Sequence, residues 1–442
     1  MIEGELLMAI VLIEQNSVLG KIKPMHAVNN GPINGSRMFP NSGNFDAYKE
    51  AGIPYARNHD AAFCSSYGGE HTVDITAVFP NFDADPYDPA SYDFACTDAY
   101  TQTIMEAGAE VFYRLGQKID HRVKKYDSIP PKDYKKWAVI CEHVIRHYNY
   151  GWADGFNLNI TYWEIWNEPG NGRECWDAPL EEFYPLFEIT AKHLKGCFPE
   201  LKIGGPAFAT GGFDNRTDEF LDYMRNHNVP MDFYSWHTYR SEPEEYLKRI
   251  LRARERLDFY GYTDTESILD EWNYIINWKD GLLESKKAII SIKGAAFTSA
   301  MMAIGQNNPL DMLMYYDARP CKLNGLFNFY TFEKMKGYYP FYLFSKLYKL
   351  GAHIKTESDA ADIYAVAAKN GENIAIMVTY FTNDANADKK EVTLKLDRGN
   401  ADEYSMLLLD DAHDADNMGS IQTRDGEITV TMSPNSVILL EK

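Results

Sequence analysis

Tyr162-Trp163-Glu164-Ile165-Trp166-Asn167-Glu168-Pro169 and, far downstream, Ile268-Leu269-Asp270-Glu271-Trp272-Asn273-Tyr274 decide how this chain folds. Each is an apolar, aromatic run too short for a helix, and each delivers a carboxylate near its end. A run of this kind reads as a strand buried on both faces, as in a parallel sheet. Working outward from them, further short apolar runs follow the same rhythm: Ile22–Val28, Tyr55–His59, Glu110–Leu115, Lys202–Pro206, Phe233–His237 and Asp311–Tyr316. With 161–166 and 267–270 they make eight. Amphipathic or fully apolar helical stretches separate most of them. Trp137, Ile140, Val144 and Tyr148 line one face before the fourth strand, and 286–304 is apolar nearly all round. Strand–helix alternation repeated eight times predicts an α/β fold, a (β/α)8 TIM barrel.

Beyond about residue 350 the texture changes. Ile363–Ala367, Ile374–Tyr380, Glu391–Leu396, Tyr404–Leu409, Glu427–Thr431 and Val437–Leu440 are short runs, several parted by Asn370-Gly371 or Asp425-Gly426. Asn-Gly and Asp-Gly between such runs signal tight hairpins. The expectation is an attached β-sandwich, with Leu6–Ile13 added as a further strand. The predicted division is a catalytic barrel over 17–345 and an accessory sandwich of 1–16 plus 346–442. The long segments 30–46, 64–95 and 316–340 follow strands one, two and eight, on the face where barrels carry their sites.

The chain has 442 residues, a formal net charge of −20 and a pI near 5.0. Such a surface repels phosphate backbones and anionic membranes, so neither nucleic acid nor a membrane is an expected partner. The run Leu6–Ile13 follows Glu3 and Glu5 rather than lysines and reads as a strand, not a signal peptide. The six cysteines are irregularly spaced with no CxxC pair, which predicts free thiols and a cytoplasmic location. Homo-oligomerisation is not legible here.

In a barrel of this kind Glu168 closes the fourth strand and Glu271 the seventh, both at the C-terminal mouth. Two carboxyl groups across one pocket are what cleavage of a glycosidic bond requires. One donates a proton to the leaving oxygen while the other attacks or stabilises the anomeric carbon. Aromatic surroundings at Trp163 and Trp166 favour a protonated Glu168, and hydrogen bonds from Tyr239 or His237 favour an ionised Glu271. Asn167 is placed to meet a sugar 2-hydroxyl. Trp272 and Tyr315 are candidates to stack on sugar faces, and Arg319 to grip an anionic substituent. No HExxH or tight ligand cluster occurs, so no metal is expected, and no phosphate-binding loop or nucleophile elbow suggests a cofactor.

These motifs, with Phe233-Tyr-Ser-Trp-His-Thr-Tyr239, resemble clan A of the glycoside hydrolases. The stretch Lys23-Pro-Met-His-Ala-Val-Asn-Asn-Gly-Pro32 is similar to family 39, the β-xylosidase family. The resemblance implies a retaining, exo-acting hydrolase of oligosaccharides or glycosides, with Glu168 as acid/base and Glu271 as nucleophile. By it Asn167, His237 and Tyr239 hold the sugar and the nucleophile, and His59 contacts the sugar. Three departures touch the pocket rim: Gly170 follows Asn-Glu-Pro where Asn is usual, Asp270 precedes Glu271 where Thr is usual, and Tyr315–Pro320 stands where an aromatic platform is common. They leave open an α-L-arabinofuranosidase, another β-glycosidase, a uronide hydrolase or a non-catalytic carbohydrate-binding protein on the same fold.

Overall fold

The computed structural model describes residues 7–34, 43–59, 72–209, 214–321, 324–397 and 402–442. The first described element is strand β1 (Leu7–Lys21). Strands β2 (Ala27–Asn29), β3 (Tyr55–Arg57), β4 (Glu110–Leu115), β5 (Tyr162–Ile165), β6 (Lys202–Phe208), β7 (Phe233–Arg240), β8 (Glu266–Tyr274) and β9 (Met312–Tyr315) then close into a parallel barrel in sequence order. Helices 95–106, 134–150, 183–197, 215–226, 243–259, 292–307 and 339–350 form most of its outer layer. The predicted barrel is present. Its first strand is shorter than expected, because Ile22–His26 lies outside the ladder, where Pro24 cannot donate to a neighbour.

The barrel interior is built in layers. At the N-terminal end Ala27, Phe112, Tyr162, Phe233, Ile268, Met312 and Met314 form an apolar plug. Two residues further along several strands the inward side chains turn polar: Asn29, Arg114, Glu164, Ser235 and Asp270. The period of two along a strand makes these the next inward positions. The polar layer therefore sits directly above the plug and below the mouth.

The remaining strands are β10 (Ala352–Ser358), β11 (Ile363–Asn370), β12 (Asn373–Tyr380), β13 (Lys390–Leu396), β14 (Glu403–Leu409), β15 (Asp414–Gln422), β16 (Glu427–Met432) and β17 (Ser436–Glu441). With β1 they form one sheet in the order β15-β14-β17-β12-β11-β10-β1-β13-β16, wrapped around a core that includes Val11, Ile13, Ile376, Val392 and Leu440. β1 pairs antiparallel with β10 and parallel with β13. The hairpin signals act as expected: Asn370 faces Asn373 across its turn, and Asp425 and Gly426 adopt φ of 53° and 80° between bridged Arg424 and Glu427. Strands β10 and β15 were not signalled by the sequence. β15 is an exposed edge without a buried face to impose alternation.

The other face of β11, β12 and β17 shares the main barrel core through Val366, Ala368, Met377, Val437 and Leu439. Ser299 and Thr379 hydrogen-bond at 2.8 Å across this seam. Among the described residues no single helix is long and apolar enough to cross a membrane.

Candidate active site

Glu168 follows β5 in a strained turn. Trp166 and Glu168 both lie in the left-handed region, at φ 74° and 50°. Trp166 thereby turns outward against Trp137 and Trp176, while Asn167 and Glu168 face the barrel mouth. The turn is held by Trp166 N–H to Leu115 O (2.7 Å) and Glu168 N–H to Ala207 O (3.1 Å). Gly116 makes the close approach possible. Its φ is 153°, and a Cβ there would come 2.7 Å from the Trp166 Cα.

Glu271 is aimed by a different device. β7 and β8 pair as Trp236 with Leu269 and then His237 with Glu271, so Asp270 is an extra residue in β8. A bulge of this kind breaks alternation and bends the strand. Asp270 and Glu271 consequently both meet groups inside the barrel, and Trp272 points outward.

The two distant glutamates come together. A carboxylate oxygen of Glu168, one of Glu271 and a ring nitrogen of His237 all lie within 4.8 Å of one another. Glu168 Oε1 is 2.7 Å from His237 Nδ1, and its Oε2 accepts from Asn171 Nδ2 at 2.7 Å. Glu271 Oε1 accepts from Arg57 Nη1 at 2.9 Å, and Oε2 from the Tyr239 hydroxyl at 2.9 Å. Arg57 is the hub. It also donates to Glu164 (2.7 Å), Asn29 Oδ1 (3.0 Å) and Asn167 Oδ1 (2.7 Å). His59 Nε2 is 3.8 Å from Glu271 Oε1, and Arg114 donates to its Nδ1 (3.3 Å) and its carbonyl (2.9 Å).

Burial dominates the proton affinities here. It raises Glu271 to about 7, with Glu168 and Asp270 adding to the rise and His237 and Arg57 opposing it. Burial would also raise Glu168, but the hydrogen bond and charge of His237, then Asn171 and Arg57, hold it below the usual carboxylate range. Asp270, buried yet facing His237 and Arg57, falls to about 2. Burial carries Glu164 well above its usual value against the pull of Arg57. His237 resists the same burial: the charges of Glu271 and Asp270 hold it well above an ordinary imidazole.

Glu168, Glu271, His59, Asn167, His237 and Tyr239 thus meet in one pocket. Two expected sugar platforms do not. Trp272 is fully buried against Tyr246, Phe297 and Tyr315, because the bulge turns it toward the helices. Tyr315 is buried as well, stacked edge-on to Phe341, with its hydroxyl donating to the Asn324 carbonyl. Arg319 sits at the rim. Its Nε pairs with Asp317 at 3.0 Å and its Nη2 reaches the Tyr316 hydroxyl at 3.3 Å. An aromatic that does stand at the mouth is Trp278, which is 52% exposed and edge-on to Tyr239 at 5.0 Å. It lies in a loop after β8, and no strand pattern marks it. The sequence reading pairs Arg57 with a barrel carboxylate, and the structure pairs it with three; that multiplicity and the inward turn of Asp270 escaped it.

A cation is already built into this pocket, since Arg57 neutralises the carboxylates from 2.9 Å. Glu142, His193 and Cys197 form the other group among the described residues whose donor types suit a metal ion. It sits on the outer helices, with Cys197 at a helix end remote from the mouth.

Comparison with known proteins agrees with this architecture. The model for glycosyl hydrolases family 39 matches residues 47–258, which include Arg57, Glu168, His237 and Tyr239. The chain is 37% identical over 120 residues to a β-xylosidase of Geobacillus stearothermophilus, covering 27% of this chain and 23% of that protein. It is 28% identical over 204 residues to a β-xylosidase of Caldicellulosiruptor saccharolyticus, covering 44% of this chain and 38% of that one. The chain thus spans well under half the length of these curated relatives. The crystal structure of a glucosidase from Croceicoccus marinus superposes with a TM-score of 0.79 at 22% identity, covering 98% of each chain. That likeness extends the shared fold through both modules, and the matched segment carries the strained Asn-Glu-Pro turn and the His-Thr-Tyr strand end. Over residues 47–258 the chain is similar to glycosyl hydrolase family 39.

Proposed function

We propose that the protein is a retaining, exo-acting glycoside hydrolase acting on β-xylosides. The observation that carries this reading is the approach of Glu168 and Glu271 oxygens to within 4.8 Å. Retaining enzymes hold their carboxyl groups about 5–5.5 Å apart, too close to seat a water between them and the sugar. Glu271 attacks the anomeric carbon and forms a covalent glycosyl ester. The leaving oxygen takes its proton from Glu168, which then accepts a proton from the incoming water.

The hydrogen bonds support these roles. Arg57 can only donate to Glu271, and the Tyr239 hydroxyl donates to its other oxygen, so together they orient it as a carboxylate. His237 Nδ1 can instead trade a proton with Glu168 across 2.7 Å. The Glu168–His237 pair thereby keeps a proton available even though Glu168 alone is acidic. Asn167 has its oxygen taken by Arg57, which leaves its amide hydrogens for a sugar hydroxyl. The xyloside preference rests on the two β-xylosidase relatives. A reducing, cytoplasmic setting belongs to the same proposal, supported by the thiols of Cys141, Cys175 and Cys197.

The test is a panel of aryl glycosides with Glu271→Ala and Glu168→Ala. On the β-xyloside, the expected result is turnover lost in Glu271→Ala and restored by azide as a glycosyl azide of inverted configuration. For Glu168→Ala the expected loss is about 10²–10⁴-fold on poor leaving groups and much less on activated ones. Full activity in Glu271→Ala overturns the mechanism, and sugar binding without turnover across the panel overturns the hydrolase.

A further inference from the structure

Beneath the facing glutamates lies a third carboxylate that hydrolysis does not itself call for. Asp270 is fully buried, and neither of its oxygens has a well-aligned hydrogen bond. Its closest contacts are with two cations, and the Glu164 carboxyl, kept protonated by burial, is a further partner. Oδ2 is 3.2 Å from Arg57 Nε, and Oδ1 is 3.4 Å from His237 Nε2. A buried ion without good hydrogen bonds is costly to the fold, and removing a group's partner is what usually makes such a site intolerable. Asp270 also occupies the inserted position of the β8 bulge, so the bulge carries two acidic side chains into the barrel where a regular strand would carry one.

We propose that Asp270 is a positioning residue: from below it keeps the His237 imidazole charged and oriented, and so sets how tightly the Glu168–His237 pair holds the proton delivered to the leaving oxygen. The inference rests on the acid/base reading of Glu168 given above. Charged groups reach the imidazole from β5 and β8, with the Arg57 cation of β3 behind them. From β5 comes Glu168 at 2.7 Å from Nδ1, with Glu164 deeper on the same strand. From β8 come Glu271 at 3.5 Å from Nδ1 and Asp270 at 3.4 Å from Nε2. From β3 comes Arg57, which touches Glu164, Asp270 and Glu271 together, and beyond it His59 approaches Glu271. Asp270 is the anion that meets Nε2, the nitrogen pointing away from the reacting centre. A charge there holds the second proton without blocking the first.

Removing a neighbouring negative charge lowers the proton affinity of every group around it. In Asp270→Asn, of nearly the same shape, both limbs of the kcat/KM pH profile should therefore move to lower pH, the alkaline limb by about one unit. A substitution that only loosened packing would lower kcat and leave the limbs in place. Independently of turnover, nitrogen-15 shifts of His237, assigned through His237→Gln, should show both ring nitrogens protonated in the unliganded wild-type protein at pH 7. In Asp270→Asn the imidazole should become neutral at lower pH. A neutral His237 in the wild type, or limbs and imidazole titration unmoved in Asp270→Asn, overturns the proposal. Should Asp270→Asn fail to fold, the wild-type imidazole signal still decides, because a neutral ring leaves Asp270 nothing to hold. A charged His237 in a protein that turns over no glycoside would instead sink the hydrolase reading.

Discussion

At the residue scale the pocket is a problem of too many acids in too little water. Glu164, Glu168, Asp270 and Glu271 share the Arg57 guanidinium and the His237 imidazole, with His59 standing further off. Burial has raised Glu271 to about 7, and a protonated Glu271 cannot attack. Its sign is that of an acid whose active form appears as pH rises, so kcat/KM should fall as pH drops through about 7. Because the Glu168 charge is one cause of that rise, Glu168→Gln should move this acid limb to lower pH. The measurement is a pH profile on a dinitrophenyl glycoside, whose leaving group needs no proton. An unmoved limb would mean that the two carboxyl groups do not sense each other. The residue types of this cluster were legible from the sequence. The meeting of Glu168 and Glu271 with His237 and Tyr239 was legible too, from the strand order; the joining of Glu164 and Asp270 to them through Arg57 was not, because only barrel closure brings that guanidinium to the centre.

At the scale of the element, two irregularities do the aiming. One is the left-handed turn after β5, which depends on Gly116. Gly116→Ala would place a methyl 2.7 Å from the Trp166 Cα and force an alanine into a φ it rarely adopts. The expected cost is about 1–3 kcal/mol of stability, with kcat falling because the same turn carries Glu168. The other is the bulge in β8. Trp272→Ala empties a core site among Tyr246, Phe297 and Tyr315, and should cost about 3–5 kcal/mol. KM should change less than kcat, since the ring does not reach the pocket. A variant that loses substrate affinity but keeps its melting temperature would restore Trp272 as a sugar platform. These irregularities are also where reading the sequence went astray. Strict alternation cannot register an extra residue, so Trp272 read as a pocket aromatic when it is wall; Tyr315 is wall by regular alternation, since Met312 and Met314 of its strand fill the barrel plug. Trp278, in a loop, carried no pattern at all. The regular strands were legible because each is bounded by turns and buried on both faces.

At the scale of the whole molecule, the two modules share a core rather than a linker. β1 is the first described strand, yet it lies between β10 and β13, which come late in the sequence. The apolar faces of β11, β12 and β17 rest on the barrel helices, chiefly through Val366, Met377, Val437 and Leu439 against the helix 292–307 side. That helix is apolar all round because it is covered on both sides, by β8 and β9 within and by the sheet without. Neither its long apolar run nor the alternation of the late strands revealed this seam, since both patterns report burial and not the identity of the neighbour. The seam has a thermodynamic consequence. Units that share buried apolar surface unfold together, whereas tethered domains unfold separately. Calorimetry of the whole chain should therefore give one transition whose calorimetric and van't Hoff enthalpies agree. A segment comprising only residues 22–350 should expose the outer face of helix 292–307 and aggregate. A stable, soluble barrel fragment with an independent melting transition would show that the sheet is an appendage and that the site stands without it.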